Sequence, residues 1–166
     1  MSLVRMTLLA AACGLVVLAS QGPARAQSVT GAGTIDVLDL SEGGGVPQGN
    51  LTIAAHINPR SGAAVGVVRI RIPGFAEATV DVQTVSVQGD IAVAGGPIRA
   101  GSSAFGDEDV ELYLLIVDNG TPNHGGPDAA VAILTGPDSG DFIVAVAGFF
   151  AQFASPVNHG NYTVHP

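Results

Sequence analysis

The chain has 166 residues, with six Lys and Arg against fourteen Asp and Glu, a formal net charge of −8, one cysteine and no tryptophan. That acidic balance argues against nucleic acid and anionic membrane surfaces as partners, because binding to either draws on clustered Lys and Arg. A single cysteine leaves no internal disulfide, so burial of apolar side chains has to hold the fold.

The first 26 residues read as a signal peptide. Arg5 gives a positive start, Met6 to Ala19 is apolar, and Ala24-Arg25-Ala26 offers small residues at the minus-three and minus-one positions of a cleavage site before Gln27. The apolar run is shorter than the roughly 20 residues that span a bilayer, and Gly22-Pro23 breaks it. A lipid-modified Cys13 is the minor alternative. Cleavage would leave residues 27–166, with four arginines against fourteen acids, no lysine and no cysteine. That length suits one domain, secreted or periplasmic, with no stable membrane insertion after cleavage.

From residue 27 onward, short apolar stretches are punctuated by Gly and Pro, which predicts strands. "NLTIAAHIN" alternates Leu51, Ile53, Ala55 and Ile57 against Thr52, Ala54 and His56. "VVRIRIPG" sets Val68, Ile70 and Ile72 against Arg69 and Arg71, the pattern of a sheet with one buried and one wet face. In "ATVDVQTVSVQGDIAVAGG" the phase changes between Val80 and Val82 and Val85 and Val87, so a bulge or bend is expected near Thr84. Gly89-Asp90 predicts a tight hairpin into Ile91 and Val93. "VELYLLIVD" is apolar on both phases and predicts a central strand covered on both sides, with a helix after Asp107 to Asp109 as the competing reading. "AAVAIL", "DFIVAVAG" and "FFAQF" are read as further strands, and "NYTVHP" as a closing one. The expected fold is all-β: a single antiparallel β-sandwich or barrel-like domain of about eight to ten short strands.

Two short motifs carry a resemblance. Val85, Val87, Gly89, Ala92 and Gly95 form V-x-V-x-G-x-x-A-x-x-G, and Val117, Asp118, Asn119 and Gly120 form a V-D-N-G loop closed by Asp128. With "GAGTIDV" before them and "GNYTVH" after, this order is similar to a class of small secreted bacterial β-domains of uncharacterised function. The resemblance implies a fold and an exported address, and no activity.

"VDNGTPNHGGPD" is the densest cluster of chemistry-bearing side chains. Asp118, Asn119 and Asp128 offer the hard oxygens that calcium prefers, which makes calcium the candidate cofactor of a chain otherwise expected to have none. The competing reading is structural: Asp-Asn-Gly is a strong turn sequence, and no EF-hand spacing with a bidentate Glu follows. His124 adds little, because His56, His159 and His165 are scattered singly and give no zinc-ligand pair. Ser102, Ser103 and Ser155 lack a nucleophile elbow, Gly43 to Gly45 lack the rest of a phosphate loop, and Asp107, Glu108, Asp109 and Glu111 read as a solvated strand entry before they read as a glycosidase pair. The sequons at Asn50, Asn119 and Asn161 matter only in a eukaryote, whereas the Ala, Val and Gly usage suggests a bacterium.

No catalytic set emerges, so the chain is expected not to be an enzyme. The leading expectation is an exported structural or surface-associated interaction module whose partner is an unknown envelope or extracellular component. The alternative is a carbohydrate or small-ligand binding module, possible with calcium. Sugar platforms favour exposed aromatics, and here only Tyr113 and Tyr162 join Phe149, Phe150 and Phe153, which are read as core at least as readily.

Overall fold

The computed structural model describes residues 27–36, 48–74, 76–101, 110–120 and 126–166. The signal-peptide reading, Gly43 to Gly45, Ser102, Ser103, Asp107 to Asp109 and His124 lie outside them.

Nine antiparallel strands are present among the described residues: β1 (Ser28–Asp36), β2 (Gln48–Ile57), β3 (Ala64–Ile72), β4 (Ala76–Asp81), β5 (Thr84–Gln88), β6 (Ile91–Gly101), β7 (Glu111–Val117), β8 (Ala129–Thr135) and β9 (Ser155–His165). Each pairs with its sequence neighbour from β1 to β4 and from β5 to β9. β4 also pairs with the far half of β6, and β9 returns to pair with β1 from Ser28↔His165 to Ile35↔Val157. Eight strands thereby close into a barrel, with β5 as the ninth, laid along the near half of β6. The sandwich alternative gives way to a barrel because β1 and β9 pair with each other and leave no gap between two sheets.

Local sequence explains most of these elements. β2 alternates as expected, with Leu51, Ile53 and Ala55 buried and Thr52, Ala54 and His56 exposed. On β3, Val68 and Ile70 face inward while Arg69 and Arg71 stand in solvent. The expected phase change falls at Val82-Gln83, where the chain leaves β4 and enters β5. Val82 donates to the Gly66 carbonyl and Gln83 to the Gly95 carbonyl across the bend. Both halves still bury their valines in one interior, Val80 and Val82 before the bend and Val85 and Val87 after it. Gly89, at φ +67°, turns the two-residue hairpin that aligns Gln88 with Ile91, the glycine-first arrangement that matches strand twist.

β7 is the central strand that its sequence implies. Leu112, Leu114 and Ile116 point into the barrel, and Tyr113 and Leu115 point out into a second apolar cluster. That outer cluster is roofed by helices, which corrects the reading of "DFIVAVAG" and "FFAQF" as strands. Gly140–Ala145 forms α1 and Ala147–Ala151 forms α2. Ile143, Ala147, Phe150 and Ala151 recur at helical spacing and pack over Val93, Tyr113 and Leu115. Burying one side chain such as Ile143 is worth about 1.5–3 kcal/mol, enough to prefer the helical period where no strand partner is on offer. Glu111 anchors the entry to α1: its Oε2 accepts the Tyr113 hydroxyl at 2.7 Å and the Ser139 backbone N–H at 3.0 Å. Glu111 is thus committed to structure.

No helix among the described residues is long and apolar enough to cross a membrane.

Candidate functional site

Two features stand out on this scaffold: the aspartate loop, and an apolar opening at one end of the barrel bordered by phenylalanines.

The loop follows β7 and precedes β8. β8 and β9 pair only at Ala129↔Pro156 and Ala130↔Ser155, so among the described residues the later part of β9 has no strand on that side. The loop takes its place. Asp128 is buried, its Oδ2 accepting the Tyr162 backbone N–H at 2.7 Å and its Oδ1 the Asn119 N–H at 3.1 Å. Asp118 accepts the Val164 N–H on Oδ2 at 2.9 Å and closes an Asx turn by accepting the Gly120 N–H on Oδ1 at 2.8 Å. Tyr162 and Val164 are two residues apart, so their N–H groups leave the same edge of β9. Two carboxylates therefore do what the carbonyls of a neighbouring strand would do. Asn119 completes the loop by donating from Nδ2 to the Pro127 carbonyl at 2.7 Å.

Asp118, Asn119 and Asp128, the proposed calcium set, are brought together here, and each of the four carboxylate oxygens accepts a backbone N–H. This supports the structural reading of the loop. No group of three or more His, Cys, Asp or Glu placed to hold a metal occurs among the described residues. His56, His159 and His165 are exposed and sit on β2 and β9. Tyr162 packs inside the barrel with its hydroxyl on the Leu51 carbonyl at 3.3 Å. Burial, and then the Asp128 charge, raise the pKa of its phenol well above the usual range.

The second feature lies where β8 parts from β9. On the barrel-facing side of β8, Ala130 is fully buried, Ala132 is exposed, and Leu134, opposite the buried Leu112, is 50% exposed. The core face of the strand is thus progressively uncovered. A cavity of about 320 Å³ opens there, with walls that include Ile35, Leu51, Ile70, Ile72 and Ala130, and with Phe153 at its edge.

Phe153 belongs to the helical roof as well. Phe142, Phe149 and Phe153 are 63%, 60% and 58% exposed, which corrects the reading of Phe149 and Phe153 as core; Phe150 alone of that group is tucked against the outer cluster. Phe149 stands edge-to-face with Phe150 at 5.7 Å and with Phe153 at 5.3 Å. Sequence reading missed this surface, although the four-residue spacing of Phe149 and Phe153 is a helical signal.

Compared with family models, curated proteins and solved structures, the chain matches none.

Proposed function

We propose that the protein is an exported, non-catalytic interaction module that contacts an envelope or extracellular component through the phenylalanine surface of its helical roof. The observation that carries this reading is the exposure of Phe142 on α1 and of Phe149 and Phe153, which stand edge-to-face at 5.3 Å, on α2 and the turn after it. Large apolar side chains gathered on a surface favour an interface, because covering them releases the hydration they impose. The signal-peptide pattern and the resemblance to secreted bacterial β-domains support the address. Glu111 and both loop aspartates are occupied by backbone donors or by Tyr113, which supports a scaffold in preference to an enzyme.

Co-sedimentation of the purified protein with isolated bacterial envelopes tests it. The wild-type chain should sediment, and a Phe142→Ser, Phe149→Ser, Phe153→Ser variant with an unchanged melt should stay in solution. Equal partition of the two proteins would sink the reading.

The carbohydrate alternative draws less support, because both tyrosines are buried and offer no stacking face. A small-ligand reading is favoured by one specific observation, the apolar cavity beside β8.

A further inference from the structure

We infer that the opening between β8 and β9 is a binding site for one small, neutral, apolar molecule. This inference is independent of the phenylalanine surface proposed above, although Phe153 borders both.

An eight-stranded barrel has an interior that side chains can just fill, or that can hold one small ligand if they leave room. Here the distant part is filled: Val29, Val80, Val85, Leu114 and Tyr162 are buried in a single cluster. Near the open seam the positions on β2 and β8 are small, Gly49, Ala130 and Ala132, and the space remains. Its volume, about 320 Å³, sits at the lower end of the roughly 300–1,000 Å³ of small-molecule sites. That size suits a compact molecule and is too little for a folded peptide segment.

The chemistry of the walls sets the ligand class. Among the described residues they hold no charged side chain, and the one polar side chain is the Ser155 hydroxyl. Arg69 and Arg71 alternate with the lining residues Ile70 and Ile72, so they project from the other face of β3 into solvent and supply no counter-ion inside. An anion entering would lose its hydration without a partner, under a net charge of −8 that repels it. A neutral apolar molecule meets no such cost. Access is given by the strand geometry itself, because β8 and β9 share only two residue pairs before they part.

Fluorescence titration of the purified protein with the neutral probe N-phenyl-1-naphthylamine, beside the anionic 1-anilinonaphthalene-8-sulfonate, tests this. One saturable site for the neutral probe is expected, with affinity for the anionic probe weaker by about tenfold or more. Ala132 is exposed at the rim, so Ala132→Phe and Ala132→Asp should fold with wild-type melts and each weaken the neutral probe by about tenfold or more. Val65→Thr, on exposed surface outside the lining, should bind as wild type does. Absence of saturable binding would overturn the inference. So would wild-type affinity in both Ala132 variants, or loss of binding in Phe142→Ser with both Ala132 variants unaffected, which would assign the probe to the helical roof.

Discussion

The Asp128 carboxylate and the Tyr162 backbone N–H, 34 residues apart in the chain, meet at 2.7 Å inside the protein and fasten β9 where it has lost its strand neighbour. Replacing Asp128 with Ala leaves that buried N–H without an acceptor, a loss of about 2–3 kcal/mol. Urea unfolding of Asp128→Ala should show this as a lower midpoint at unchanged slope. Asp118→Ala should lose less, about 1 kcal/mol, because Asp118 is only half-buried and water can reach the Val164 N–H.

Calcium should leave stability unchanged. A cation that binds only the folded state at a hundredfold excess over its Kd adds about 2.7 kcal/mol, a shift of several degrees in the melt. Melts in calcium and in chelator are expected to superimpose. A rise with calcium that Asp128→Ala abolishes would move the loop from clamp to cation site.

If the proposed export holds, the product should begin at or next to Gln27, a residue already tied into the barrel. Its backbone carbonyl accepts the Ile57 N–H at 2.9 Å, and its side-chain amide pairs with Val87 in both directions along the edge of β5 that faces away from β6. Intact mass of protein recovered from periplasm or medium checks this. Retention of residues 1–26 in a membrane fraction would contradict it.

Alkaline conditions should unfold the protein through its tyrosines. Burial, followed by the Glu111 hydrogen bond for Tyr113 and by the Asp128 charge for Tyr162, raises both phenols above their usual value near 10. Above that value the unfolded chain gives up protons that the native chain keeps, so stability falls with rising pH; below it the two groups add no pH dependence. Tyrosinate absorbance should therefore appear together with loss of the β signal in circular dichroism. Ionisation at ordinary pH with the barrel intact would refute the burial of both rings.

The β1–β9 seam should be intolerant of a methyl group. Gly31, at φ +150°, lies under the Tyr162 ring and its backbone, and an added Cβ would stand 2.7 Å from that ring. Gly31→Ala should cost about 1–3 kcal/mol. Gly148→Ala in α2, where nothing lies within 4 Å, should instead stabilise by about 0.5–1 kcal/mol. Thermal melts of the two variants, moving in opposite directions, check the pair.

How far the sequence could be read depended on the range of the forces involved. The alternation in β2 and β3, the hairpin at Gly89 and the doubly covered β7 were legible because each is written in neighbouring residues. "DFIVAVAGFF" misled because a short, wholly apolar run satisfies both periods, and the choice of helix came from an uncovered outer face on β6 and β7 that no local window reveals. The loop aspartates were legible as a turn but not as a clamp, since their partners are backbone amides, which every residue but proline carries. Exposure of Phe149 and Phe153 was hidden for a similar reason. Hydrophobicity says what a side chain prefers, and the finished barrel decides whether room is left for it.

The pairing of the first strand with the last has a consequence for the order of events in the life of the chain. Ser28 meets His165, so the strands made earlier must wait for β9 before the ring can shut. Until β9 arrives, β1 and β8 are open edges of a curved sheet, able to recruit a strand from a neighbouring molecule. Such end-to-end closure makes folding slow for the chain's size, and a polypeptide truncated before Ser155 would persist as an unclosed, association-prone intermediate.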